Sequence, residues 1–289
     1  MQKTLPELDY GTIRVEFDKL MIASSNKLER EWPANVAAHD GLAPTLRALV
    51  MVSANTYRTI VYVCADTPES SERKLEYGLS MTPLARTLLD ALFAVVYLFD
   101  DPVARAEEFY KGGWREMFEE NARYHAAYGH DPSWAAFSAD HDRRLAEVET
   151  LVGITAAERA KPSSVPFWPT PAAMKNKIAN TDRKQFLDYM NDWFMREMSQ
   201  DTHLSWPGLL RRFRPLMAPT AGGVRDEVLK KWKSDAVGTS IVLMLSLMSE
   251  IEIELHYGLA DRLKYVWGVM NQYYLLSKEV YDFRYEGRL

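Results

Sequence analysis

Apolar residues recur at helical spacing along nearly the whole chain, and no stretch alternates with period two over a useful length. This pattern predicts an all-α fold. The punctuation agrees: Thr82-Pro83, Asp101-Pro102 and Asp131-Pro132 each set a capping oxygen before a proline, the chemistry of a helix start. Thr155 followed by Glu158 reads as a capping box on a short helix. The spacing predicts helices near 11–31, 43–65, 74–99, 102–128, 132–152, 182–204, 224–256 and 259–283.

The segment 159–173, RAKPSSVPFWPTPAA, places four prolines between Pro162 and Pro171, so it reads as one long irregular connection. Phe167 and Trp168 within it suggest a loop packed onto the body; the alternative is a lid or a proline segment that binds a partner. Neither an internal repeat nor a flexible linker divides the 289 residues. The expectation is a single helical-bundle domain of about eight helices, with one long Pro-rich loop.

Composition narrows the function classes. A net charge of −5 excludes a bulk polycation that coats nucleic acid or anionic membrane, and leaves room for a local basic patch. The single cysteine, Cys64, cannot form an internal disulfide, so a reducing, cytoplasmic setting is expected. The N-terminal stretch MQKTLPELDYGTIRVEFD lacks the apolar core of a secretory signal. The apolar runs at 91–99 and 240–248 are shorter than the roughly 18–20 residues of a membrane span, so they are expected in a protein core, with no membrane partner.

Two charges interrupt the most apolar helix. Between Tyr77 and Phe99 only Arg86 and Asp90 are charged, and leucine, valine and phenylalanine occupy every face. A buried charge is costly unless paired, and these two stand four apart on one helix face. They form either a simple intrahelical pair or part of a larger site. Their base-first order is the weaker one for such a pair, which favours the larger site.

The helix 182–204 supplies a second polar set. Arg196, Ser199 and His203 fall at i, i+3 and i+7, within one face over two turns. Trp206-Pro207-Gly208 is expected to stop the helix, and Arg211, Arg212 and Arg214 follow. Arg-x6-His is the spacing of HEPN-type ribonucleases, which are helical, metal-independent and usually dimeric. In them the histidine does acid/base work and the arginine stabilises the charged phosphorane. The same spacing recurs at Arg123–His130, where Gly129 and Asp131-Pro132 break the helix. The weight therefore rests on Ser199 and on the Arg86/Asp90 helix.

Four segments in order carry a family resemblance: LARTLLDALFAVVYL (84–98), EEFYKGGWREMFEE (107–120), PFWPTP (166–171) and FMREMSQDTHLSW (194–206). Over about residues 75–210 the chain resembles a widespread bacterial family of all-helical domains of unknown function. Its pattern is an Arg-x-x-x-Glu helix, an acidic aromatic helix, a Trp-containing loop and a Tyr-Arg-x-Leu-Ser-x-x-x-His helix. Asp90 stands where that pattern has glutamate, and Phe194-Met195 where it has tyrosine. The resemblance implies a bundle in which Arg86, Asp90, Ser199 and His203 converge, with the helices of 224–283 packed on it. The likeness to HEPN ribonucleases is an analogy of fold class.

Other chemistries fit less well. No Glu-x-x-His occurs, so a di-metal bundle is not expected; Glu252 and His256 read as the polar face of a long helix. His39-Asp40 and His141-Asp142 lack the other ligands of a metal-dependent HD-type phosphohydrolase. Cys64 has no nearby base, and Gly112-Gly113 and Gly222-Gly223 lack the lysine of a phosphate loop. No metal and no cofactor are expected.

Two readings remain. One is a HEPN-like endoribonuclease, a toxin or defence effector, in which His203, Arg196, Ser199, Arg86 and Asp90 form the site and Arg211, Arg212 and Arg214 follow the RNA backbone. Its partners are RNA and a second copy of the chain. The other is a non-catalytic interaction or ligand-sensing protein whose Arg86/Asp90/Ser199/His203 network is structural.

Overall fold

In a computed structural model the described residues are 10–32, 41–64, 75–202, 205–217 and 224–289. Among them the chain forms thirteen α-helices and no strand, so the all-α expectation holds while the count exceeds eight. In chain order they are α1 Tyr10–Arg30, α2 Leu42–Cys64, α3 Thr82–Asp100, α4 Pro102–Tyr128, α5 Ala135–Val152, α6 Ala156–Ala160 and α7 Pro171–Lys177. Then come α8 Thr181–Met190, α9 Arg196–Thr202, α10 Trp206–Leu216, α11 Val224–Leu255, α12 Ala260–Tyr273 and α13 Leu275–Arg284.

The centre is α3, which packs against α2, α9 and α11. From Leu88 to Phe99 every residue except Asp90 is buried, as a helix that is apolar all round must be. α11 is its counterpart: Val237–Leu247 is buried apart from Thr239, which is half-buried. Tyr77–Asp100 and Val224–Leu255 are long and apolar enough to cross a membrane by length and composition, and most of each apolar stretch is buried against the rest of the chain. α1 packs on α2 and α12, and α4 pairs with α5 as a hairpin over a small second core of Trp114, Leu145 and Val165.

Several helix starts follow their capping chemistry. Asp101 accepts from the Ala104 amide at 3.2 Å, and the Thr155/Glu158 box is closed in both directions. Thr82 does not cap. It is already the first helical residue, and a 3₁₀ turn, Leu75–Ser80, replaces the expected first turns. Pro83 takes the first turn of α3, where its missing N–H costs nothing. Gly78 also brings the turn against α11, where a Cβ would lie 2.7 Å from Lys233 Cγ and 3.2 Å from its amide nitrogen.

The expected helix 259–283 breaks at Tyr274, which is extended. Its hydroxyl lies 2.9 Å from Thr239 Oγ1 and its ring sits against Gly238, so tertiary contacts override the local pattern. The Pro-rich connection is packed. Val165 and Pro169 are buried, and Trp168 meets Tyr97 and Phe109 edge-on, with centroids 5.4 and 4.9 Å apart. It is also shorter than expected, since Thr170 caps α7 with Pro171 at its start. α9 ends at Thr202, ahead of Trp206-Pro207-Gly208, and these three residues also open a further helix, α10: proline fits the first turn of a helix, where its missing N–H has no partner to lose.

The acidic stretch 249–256 also departs from its expectation as a polar face. Glu250 and Glu252 are buried, and Glu254 pairs with Arg183. Glu252 Oε1 accepts from the Gly258 amide at 3.0 Å just beyond the helix end, where His256 turns into the left-handed region at φ 53°.

Candidate functional site

Arg86 and Asp90 form the expected pair on α3, with Nε donating to Oδ1 at 2.8 Å. The pair lies at the edge of the buried helix. The Arg86 side chain is 17% exposed and that of Asp90 45%, so the carboxylate opens to solvent. Arg86 Nη1 also donates to the carbonyl of Met195 at 3.5 Å. This bond ties α3 to the end of a π-helical turn, Asn191–Met195, in which the Arg196 amide reaches back to the Asn191 carbonyl.

α9 lies directly on α3, as convergence of the two polar sets requires. Met195 and Met198 are buried, Ser199 is half-buried, and Arg196 is exposed. At about 100° per residue, Met195 and Met198 point to one side and Arg196 is turned well away from them, with Ser199 between. His203 lies outside the described residues, and so do the side chains of Arg211, Arg212 and Arg214, whose backbone belongs to α10. Of the expected constellation, the structure thus joins Arg86 to Asp90 and to the backbone one residue before Arg196.

Beside this junction is a cleft of about 330 Å³. Thr82 and Ala85, on the turn before Arg86, form one wall. Trp193, Phe194 and Met198 form the second, and Trp232, Asp235 and Thr239 of α11, with Tyr274, close the third. Lys231 stands at the rim and is exposed. Trp193 is 55% exposed, whereas Phe194 and Met195 in the same π turn are buried. No family model, curated protein or solved structure matches the chain. The resemblance to the bacterial helical family thus rests on the four sequence segments that carry it.

Chemically, the cleft offers flat aromatic faces with a few polar groups between them, the usual make-up of a small-molecule site. Among the described residues no group of three or more His, Cys, Asp or Glu is placed to hold a metal ion. Elsewhere, Asp142 accepts from Asn121 Nδ2 at 2.8 Å, and His125 Nε2 lies 2.9 Å from the same oxygen. The His141 ring packs instead on Tyr124 and Phe137. His39 and Asp40 lie outside the described residues. Cys64 is buried, and burial pushes its thiol up to about 11, which makes it inert at neutral pH.

Sequence reading missed the cleft. One signal was present: Trp232 is the lone aromatic in the charged run LKKWKSD.

Proposed function

We propose that this is a non-catalytic helical protein that takes a small, flat, largely apolar ligand between Trp193 and Trp232. The observation that carries the reading is the half-exposed indole of Trp193, presented into a cleft by a π turn. Such turns cost helix stability and recur at functional positions. The volume falls within the usual range for small-molecule sites, and Lys231, Asp235 and Thr239 supply polar contacts for one edge of the ligand. In this reading Arg86 and Asp90 are positioning residues: they hold the turn that carries the indole.

The test uses anilinonaphthalene sulfonate, an aromatic body with one anionic group, titrated into the full chain. Saturable binding at one site is expected, weakened about tenfold or more in Trp193→Ala and unchanged in Trp206→Ala, whose indole is exposed outside the cleft. Absent saturation, or equal loss in both variants, would overturn the reading.

A second reading, the metal-independent endoribonuclease, has one observation in its favour. The Arg86 guanidinium reaches the backbone at the start of α9, the helix that carries Arg196 and Ser199 and leads to His203. Its test is cleavage of RNA in EDTA with 2′,3′-cyclic phosphate ends, lost in His203→Ala. An inert parent protein excludes it.

A further inference from the structure

The outer faces of α1 and α2 carry a pattern that neither the core nor the cleft uses. On α2, Met51, Asn55, Arg58 and Tyr62 are spaced four, three and four residues apart, and all are exposed. On α1, Val15, Asp18 and Ile22 follow the same three-four rhythm. This is the spacing of a seam that packs against another helix. Val15, Ile22, Met51, Val52 and Tyr62 are each more than half exposed, an unusual density of apolar surface on two adjacent helices. Between them runs an open groove of about 830 Å³, with Asp18 lying among Arg14, Arg58 and Tyr57.

The register of the pair is fixed by two contacts. The rings of Phe17 and Tyr57 meet at 4.9 Å, and Arg47 Nη2 donates to Glu29 Oε1 at 3.1 Å. α1 and α2 are therefore antiparallel, with residue numbers at one height summing to about 75. Asp18 is level with Arg58, Ile22 with Met51 and Val52, and Val15 lies toward Tyr62.

We propose that this face is the interface of a homodimer, in which α1 and α2 pack on the same two helices of a second copy to close a four-helix bundle. A two-fold axis parallel to the pair preserves height and sets α1 opposite the partner's α2. Asp18 then meets the partner's Arg58, and Arg58 the partner's Asp18. Ile22 meets the partner's Met51, and Val15 approaches the partner's Tyr62. All four helices alternate in direction, the standard up-down arrangement, and the contact is self-complementary, as a two-fold interface must be.

Two further observations fit this occupant. Asp18 pairs with Arg14 at 3.7 Å, yet burial outweighs Arg14 and Arg58 and holds its carboxyl above its ordinary range, so a further cation from a second copy would favour the charged form. The Tyr57 hydroxyl beside it is buried without a hydrogen-bond partner among the described residues. At 21 and 23 residues the two helices present a face roughly 30 by 20 Å. That is the order of the ~800 Å² per partner found in stable interfaces.

Sedimentation velocity of the full chain across the micromolar range tests the proposal. A dimer is expected. Ile22→Asp should give a monomer that keeps its helix content and cooperative unfolding but no longer shows a concentration-dependent melting temperature, since the side chain faces outward. Asp18→Arg and Arg58→Glu should each weaken dimerisation about tenfold or more, and the two together should restore most of it. A wild-type monomer throughout that range overturns the proposal, leaving the face to a different helical partner. A dimer indifferent to Ile22→Asp, or a charge swap that fails to rescue, overturns it as well. Neither result touches the cleft at Trp193, whose test uses binding and not mass.

Discussion

Arg284 holds Glu250 through two parallel hydrogen bonds, Nε to Oε1 and Nη2 to Oε2, both 2.8 Å long. Both side chains are almost fully buried, and the guanidinium also reaches Asp182 and lies 4.9 Å from the centre of the Phe186 ring. The pair fastens the last helix to the C-terminal part of α11. Removing one partner strands a buried charge, so Glu250→Ala or Arg284→Ala should cost about 3–5 kcal/mol in urea unfolding. Replacing both with apolar residues of similar volume should recover most of that loss. Equal destabilisation in the single and double variants would mean that the packing, and not the stranded charge, sets the cost.

Asp182 accepts from Arg288 and Arg284, and these hold its carboxyl at about 2, against the opposing effect of burial. The folded value lies below the unfolded one. The contribution to stability is therefore complete above about pH 4 and is lost as pH falls toward 2. Wild-type protein should lose stability across that window, and Asp182→Asn should show a flatter acid limb from a lower plateau. Because the carboxylate is 45% exposed, the effect is modest and should shrink in high salt. Identical acid limbs in the two proteins would contradict it.

Adjacent glycines in α4 should respond in opposite directions. A Cβ at Gly112 would lie 2.5 Å from the backbone nitrogen of Trp168, whereas one at Gly113 meets nothing within 4 Å. Gly112→Ala must push the Pro-rich loop off the helix, at a cost of about 1–3 kcal/mol. Gly113→Ala adds helix propensity without contact and should stabilise by about 0.5–1 kcal/mol. Thermal unfolding of the two variants separates them, and a shift of the same sign in both would refute the close-approach account.

The helices were legible because their apolar spacing and caps are local. Their interruptions were not. The break at Tyr274 depends on Thr239 and Gly238, and the 3₁₀ turn at Leu75–Ser80 on the approach of Gly78 to Lys233. Glu250 and Glu252 read as a polar face because Arg284, which satisfies Glu250, stands 34 residues away. The same limit applied to the site. The Arg86–Asp90 pair could be read from four-residue spacing, whereas the cleft draws its aromatic walls from three distant segments that no window contains together.

Arg86 separates the two functional readings. Its bond to the Met195 carbonyl links the charged pair to the π turn, and Asp90 in turn orients the guanidinium. If the pair positions the cleft wall, Arg86→Met should cost about 1–2 kcal/mol for the lost hydrogen bonds, shift the Trp193 emission and weaken binding of anilinonaphthalene sulfonate. Asp90→Asn keeps a hydrogen-bond acceptor near the guanidinium and should do little to either property. If the pair serves phosphate chemistry instead, both substitutions, together with Arg196→Met, should suppress RNA cleavage while the emission of Trp193 stays where it is. An Arg86→Met protein whose emission and probe affinity match the parent would remove the link between the charged pair and the cleft, because the turn would then hold its shape without the guanidinium.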